Sequence, residues 1–496
     1  MKKSASWNWA ESRAQLQTRR HFLQNCQLGL GALALSQLAG VNPANRLTGQ
    51  HDSTTNDNPV TSPTPMLAAR AKRVIYLHME GSPPQHELFD YKPELARLNQ
   101  QECPAELLAG KTFAFIKGIP KLLGPQVKFS QQGKSGQWIS EMLPQIGQHA
   151  DDLCIINSMF TEQFNHAPAQ LLLHTGNPQF GGASFGSWVT YGLGSENENL
   201  PGYVVMVSGG SMPSGGKSLW SNGFLPSIFQ GVQCRSEGEP VLFVANPPGM
   251  SRDIRRDSLD ALNELNQREL AQFHDPETLT RIKQYELAFR MQVSVPEVMD
   301  ISRESSATLA AYGAQPGAAS FANNCLLARR LVEQGVRFVQ LFDWGWDIHG
   351  TGPHDDLATQ FPLKCRETDG PIAALLSDLK QRGMLDDTLV IWGGEFGRTP
   401  MNEARNGSKY LGRDHHPNCF SMWLAGAGTN AGTTYGKTDE LGYQVVENGV
   451  SVRDLQATLM HTLGMDAHRL SFPFQGLNQR WIGPANDPKV RHELLS

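Results

Sequence analysis

Three acidic–histidine clusters in the last third of the chain carry the residue types that bind divalent cations. They are Trp346-Asp347-Ile348-His349-Gly350, Gly393-Gly394-Glu395-Phe396-Gly397-Arg398 and Gly412-Arg413-Asp414-His415-His416-Pro417. Carboxylates and imidazoles are the oxygen and nitrogen donors such ions take. Asp347 and His349 can both face inward only if the chain between them is extended or irregular, and Trp344-Gly345-Trp346 favours an irregular loop. Flanking tryptophans also make an unpaired carboxylate costly. Glu395 follows two glycines that permit close backbone approach, and Arg398 is placed to clamp an anion bidentately. The competing structural reading there is a Glu395–Arg398 ion pair. His415 and His416 are both candidate ligands, although adjacent side chains rarely point the same way and one is expected behind the other.

The elements that must position these clusters are short buried strands. Val336–Phe342 and Thr388–Trp392 precede the first two clusters, and Cys419–Ala425 follows the third. Further continuous apolar runs at Val74–Met79, Leu153–Ile156, Tyr203–Val207 and Val241–Val244 read as strands covered on both faces. Helical periodicity is clearest over Asp257–Phe273, Pro276–Gln292, Ala319–Gln334, Asp369–Arg382 and Asp454–Leu463, the second opened by Asp275 as N-cap and Pro276 behind it. Strands interleaved with helices predict an α/β protein with a mostly parallel sheet, and ligand sites at the carboxyl ends of its strands.

Composition narrows the function classes. The chain has 496 residues with 40% hydrophobic and 18% charged content, which describes a globular protein. A net charge of −5 gives no basic field for a nucleic-acid partner. Thr18-Arg19-Arg20-His21-Phe22-Leu23 followed by the mild apolar stretch Leu28–Leu38 has the layout of a twin-arginine export signal. That stretch is too short and too polar for a membrane span. The expected organisation is a signal region at 1–40, a disordered linker at 41–70 and one domain at 71–496, delivered to the periplasm or beyond. The six cysteines outside the signal region show no CxxC spacing. They could pair in an oxidising compartment, although Cys154 and Cys325, in apolar runs, read as buried thiols. Ser208–Ser218 is glycine-rich but lacks P-loop spacing, having Ser211 where glycine is needed and Pro213 inside, so it reads as a flexible loop near the site mouth.

Taken together, these motifs resemble the bacterial family catalogued as domain of unknown function 1501, which is similar in fold to the alkaline phosphatase and sulfatase superfamily. The resemblance covers residues 68–475. It includes Gly81-Ser82-Pro83-Pro84-Gln85, Leu88-Phe89-Asp90-Tyr91-Lys92-Pro93, the Asp347/His349 pair, Glu395–Arg398 and Asp414-His415-His416. It implies a three-layer α/β sandwich of alkaline-phosphatase type and a two-metal hydrolase of phosphate or sulfate esters, with zinc, calcium or another divalent ion and a small-molecule or glycan ester as substrate. In that layout Asp347, His349 and His415 or His416 hold one metal. Glu395 serves the second, with Asp90 or Glu80 as the acidic ligand after the first strand. Pro168, Thr175 and Gly176 fit the sulfatase nucleophile frame and place His166 where a serine, threonine or modified cysteine normally stands. Histidine there can ligate metal, act as base or accept a phosphoryl group, but cannot form the usual alkoxide. The resemblance also allows a non-catalytic member that binds an anionic glycan or a partner protein.

Overall fold

The computed structural model describes residues 66–110, 116, 118–242 and 244–496. The expected export signal (1–40) and nearly all of the expected linker (41–70) lie outside them. The body begins slightly before residue 71, since Leu67 and Arg70 already donate to the Gly464 and Thr462 carbonyls (both 2.9 Å).

Apolar side chains on both sides of consecutive strand residues force helices onto both faces of the sheet. Nine strands form it: β1 (Arg73–Glu80), β2 (Leu153–Phe160), β3 (Tyr203–Ser208), β4 (Val232–Gln233), β5 (Phe338–Trp344), β6 (Thr388–Gly393), β7 (Phe420–Ala425), β8 (Thr433–Tyr435) and β9 (Val450–Ser451). Their order is β8-β2-β7-β6-β1-β5-β3-β4, with β9 also on β2. Every pairing in the sheet is parallel except the two made by β7.

Alternation along β1 divides two cores. Ile75, Leu77 and Met79 join the core under α5 (Phe321–Glu333) and α6 (Gln360–Gln381). Val74 and Tyr76 join the core under α1 (His166–Thr175), α2 (Phe185–Leu193) and α7 (Val452–Thr462). This is a three-layer α/β sandwich, as the alternating elements predict. Between α2 and α5 lie α3 (Arg252–Phe273) and α4 (Pro276–Met299). Residues Leu262–Leu279, where these two helices meet, belong to a unit separate from the body.

Two expectations change. Val241 and Leu242 form no strand; Val241 and Val244 instead pack on the core from a loop. Helix α6 begins nine residues before Asp369, at Gln360, and carries Pro371 inside it. A proline costs that helix a backbone donor and clashes with the turn before it, but burial of Phe361, Cys365, Ile372, Leu375, Leu376 and Leu379 on one side holds the helix through it. The six cysteines among the described residues are all buried, and Cys154, Cys234, Cys325, Cys365 and Cys419 form no disulfide.

Candidate metal centre

The site is built on the carboxyl end of β1. Gly81 leaves the strand at φ 101°, and a Cβ there would fall 2.4 Å from the Asp347 nitrogen, so only glycine lets the loop after β5 come this close. That loop delivers Asp347 and His349. Gly412 lies flat against its far side, where a Cβ would meet the His349 carbonyl carbon at 1.9 Å. After β6 the chain turns over Ser82, whose Oγ accepts the N–H groups of Glu395 and Phe396 at 3.0 and 3.1 Å. A two-residue antiparallel pair, Gly397–Arg398 with His415–His416, then sets His415 beside the turn. His166 opens α1, behind Asn165 as N-cap.

Three imidazoles converge on one carboxylate. His349 Nε2 lies 2.9 Å and His415 Nε2 3.3 Å from Asp347 Oδ1, and His166 Nε2 lies 3.3 Å from Oδ2. The four ligand atoms lie within 4.8 Å of one another. Each ring is fixed from behind by its other nitrogen. His166 Nδ1–H donates to Glu395 Oε1 at 2.6 Å, His349 Nδ1–H to Glu403 Oε2 at 2.5 Å, and His415 Nδ1–H to the Phe164 carbonyl at 2.9 Å. A carboxylate or carbonyl can only accept, so the proton in each of these bonds sits on Nδ1. A neutral ring then turns the Nε2 lone pair toward Asp347. Phe396 packs against two of the rings, its centroid 5.0 Å from His166 and 4.7 Å from His415, which are themselves 4.4 Å apart.

The electrostatics call for a cation at the point of convergence. Burial, reinforced by the nearby charges of Arg398 and His166, pulls His415 down to about 4 despite its contact with Asp347. At neutral pH its lone pair therefore faces a carboxylate oxygen, acceptor against acceptor. His166 Nε2 is buried, and Asp347 Oδ2, at 3.3 Å, is the acceptor it faces. Burial alone would lower the His166 pKa, but hydrogen bonds to Asp347 and Glu395 raise it to about 10. Burial would likewise raise Asp347; the Arg398 charge and the three histidines hold it well below the usual carboxylate range. The donor set thus fits a divalent metal: three imidazole nitrogens and one carboxylate, each imidazole oriented by an acceptor behind it. Asp347, with its side chain 34% exposed, is the open side of the group.

Four residues expected to bind metal or substrate have other places. Glu395 is fully buried and stands behind His166 rather than in the ligand group, accepting also from Gln170 Nε2 (3.1 Å) and Gly81 N–H (3.3 Å). Arg398 clamps no ligand. Its guanidinium is 1% exposed and donates to the carbonyls of Ser82, Gly81 and Arg413 and to Asp347 Oδ1 at 2.5 Å. Its place is to hold Asp347. His416, on the opposite side of its strand from His415, donates through Nε2 to the Tyr443 carbonyl. Asp90 bonds Thr438 and Lys92, because the turn at Gln85–Glu87 carries it away from the sheet edge.

Three contributors escape a reading of the sequence. Glu403, which orients His349, follows no motif and arrives by a loop. With His349 and Asp414 it forms a second close group of potential ligand atoms, in which the His349–Glu403 hydrogen bond is already made. Gln170 joins Glu395 to Glu80, donating to both at 3.1 Å. A signal for it exists: His166, Gln170 and His174 recur every four residues, one face of a helix. Ser214, from the glycine-rich loop, donates to Glu80 through its hydroxyl (2.8 Å) and its N–H (3.2 Å).

Residues 71–495 match the family described as Protein of unknown function (DUF1501). The chain belongs to that family. No functionally curated protein matches its sequence. Among solved structures it is similar to the lipoteichoic acid synthase LtaP from Listeria monocytogenes, at 10% identity and TM-score 0.35 over 86% of this chain and 78% of that one. It is also similar to the PsFucS1 sulfatase from Pseudoalteromonas sp., at 14% identity and TM-score 0.34 over 86% and 76%. A variant of the alkaline phosphatase of the Antarctic bacterium TAB5, with Mg bound, matches at 12% identity and TM-score 0.33 over 81% and 99%. Likeness at this level says nothing of activity or substrate.

Proposed function

We propose that this family member is an exported metal-dependent hydrolase of phosphate or sulfate esters. The observation that carries the metal half is the orientation of the rings: three separate acceptors, Glu395, Glu403 and the Phe164 carbonyl, turn three Nε2 atoms onto Asp347. Formal charge agrees with it. Asp347, Glu395, Glu403 and Asp414 are buried or half-buried together, while Arg398 and Arg405 are the cations bonded to this group. With neutral histidines the shortfall is two positive charges, that of one divalent ion. Three imidazoles favour zinc or a similar first-row ion over calcium, which takes oxygen ligands.

A divalent metal held there supplies Lewis acidity toward an ester oxygen and toward water. The chain's own part is to orient and to exclude. Both nitrogens of His166 are committed, one to Glu395 and one to the ligand group, so a covalent intermediate on this side chain is not the route. Water accepts the transferred phosphoryl or sulfuryl group, and the alcohol leaves. Asp347 marks the side from which substrate arrives. Burial, followed by the charge of Glu395, raises the pKa of Glu80, which leaves a protonatable carboxyl one glutamine away from the carboxylate behind His166.

The phosphate or sulfate ester rests on the family resemblance, and export on the Arg19-Arg20 signal layout. No helix among the described residues is long and apolar enough to cross a membrane. A second reading, a non-catalytic member that binds an anionic glycan or a partner protein, is favoured by the burial of Arg398 under four hydrogen bonds, which keeps its guanidinium from an anionic substrate. Metal analysis of protein purified from the exported fraction, with aryl phosphate and aryl sulfate turnover, separates the two. The hydrolase requires about one equivalent of metal and turnover lost in Asp347→Ala. Metal without turnover selects the binding reading, and a metal-free protein, or turnover indifferent to Asp347→Ala, removes the hydrolase.

A further inference from the structure

Behind the metal ligands two buried polar stripes face each other. β1 offers Tyr76, His78 and Glu80 at every second residue, and α1 offers His174, Gln170 and His166 at every fourth. A strand advances about 13 Å over four residues and a helix about 12 Å over eight, so the stripes stay in step along their length. At the outer end Gln170 bonds Glu80 and Glu395. At the inner end the ring centroids of His78 and His174 are 4.6 Å apart, and those of Tyr76 and His174 5.1 Å. His78, His174 and Tyr76 are at most 1% exposed. The Tyr76 hydroxyl, both nitrogens of His78 and His174, and Glu395 Oε2 have no hydrogen-bond partner. Leaving so many polar atoms unmatched in an apolar core would cost about 1–3 kcal/mol each, and native interiors instead satisfy such groups or use them.

The arrangement around Glu395 says what they are used for. Its Oε1 is taken by His166, Gln170 and Gly81, which leaves Oε2 pointing inward at His78 Nε2, 3.3 Å away but misaligned for a hydrogen bond. A small rotation of the His78 ring closes that bond. The result is a string, His78–Glu395–His166, in which a carboxylate gripped on both oxygens cannot swing away from the imidazole it orients. We infer that His78 is a positioning residue of the metal centre, acting through Glu395 on His166, with His174 and Tyr76 holding the inner end of the seam. This inference rests on the metal reading above and goes beyond it, since His78 touches no ligand of the ion.

The test is Co2+ titration of the full-length purified protein, read as dissociation constant and as visible ligand-field spectrum, for the wild type, His78→Leu and His78→Gln. Outer partners of metal-bound histidines typically carry about 10–100-fold in affinity. His78→Leu is expected to weaken Co2+ binding by that factor and to change the spectrum. His78→Gln, which keeps an amide donor at the reach of Nε2, restores both. His174→Leu serves as a neighbour of similar burial and is expected to have the smaller effect on the spectrum. A His78→Leu protein that folds, by its unchanged far-ultraviolet circular dichroism, and binds Co2+ like the wild type with the same spectrum overturns the inference and leaves the metal reading standing. Equal losses in His78→Leu and His78→Gln, with no rescue, also overturn it. A wild type that binds no Co2+ removes the metal reading, and this inference with it.

Discussion

Two regions of this molecule both hold buried histidine and acid, and they use these residues in opposite ways. Around residues 438–443, His86 donates through Nε2 to the Leu441 and Gly442 carbonyls (3.1 and 3.0 Å), His416 to Tyr443, and Gln85 to Gly442. Asp90 accepts from Thr438 and Lys92. Side chains there reach out to backbone carbonyls and to side chains of the loop, and the loop is fastened. Burial, helped by Arg413 and Lys92, pushes His86 well below its ordinary value, while burial lifts Asp90 despite Lys92. Both shifts favour the uncharged form, as a scaffold does. Around Asp347 the same residue types converge instead of spreading. Their outer nitrogens are fastened while the inner ones share one half-exposed carboxylate, which is held charged. Histidine and acid content is therefore no guide to a site; what distinguishes one is which nitrogen is left over and whether the leftovers meet.

The sharpest way to break the comparison is to remove a residue from each region. Asp347→Ala is expected to abolish stoichiometric metal binding, and Asp90→Asn to leave it intact, both measured by metal analysis after dialysis against a weak chelator. Metal retained in Asp347→Ala, or lost in a folded Asp90→Asn, would invert the assignment. Next in size is Glu403→Ala, which frees the His349 ring without touching the ligand group. The expectation is a loss of about 10–100-fold in metal affinity, measured by competition with a chromogenic chelator. Unchanged affinity would mean that Glu403 merely neutralises Arg405.

Much of this arrangement is legible in the sequence, and the missing part has a physical reason. Strand runs and their carboxyl ends place Asp347 and His349 at the sheet edge, because burial on both faces leaves a continuous apolar signature. The same logic marks Val241–Val244 as a strand, since an apolar run that packs from a loop looks identical. His415 and His416 cannot be told apart by type. Their roles depend on the two-residue pairing with Gly397–Arg398, which sends one to each side. Asp90 stands at a suitable distance from the first strand, but the Gln85–Glu87 turn decides direction, and sequence distance does not. Arg398 reads as an anion clamp because its three backbone acceptors, at Gly81, Ser82 and Arg413, are brought together only by the fold. Glu403 is the plainest case: nothing local marks it, and its meaning comes from a ring 54 residues away in sequence.

A smaller effect sharpens the fastened side. His416→Leu removes a donor from the buried Tyr443 carbonyl, which costs about 1–3 kcal/mol of stability. Chemical denaturation should show that loss while metal stoichiometry and affinity stay unchanged. A change in metal affinity would join His416 to the centre after all, by way of its neighbour His415.

The subtlest difference between the regions is in protons. Without metal, His166 is held at about 10, because hydrogen bonds and charge from Asp347 and Glu395 outweigh its burial, so at pH 7 it carries both ring protons. Its Nδ1 proton stays on Glu395, and metal at Nε2 must expel the other. His415, held at about 4, is already neutral and releases none. Binding at pH 7 should therefore release at least one proton, and apparent affinity should rise by up to about tenfold per pH unit from 7 toward 10. Isothermal titration of metal into the protein in buffers of different ionisation enthalpy reads that number directly. Heats independent of buffer would show that His166 arrives neutral, and that its contact with Asp347 is lone pair against carboxylate, as at His415. Repeating the titration with Glu395→Gln separates the two carboxylates: fewer released protons place the raised pKa with Glu395, and an unchanged number places it with Asp347.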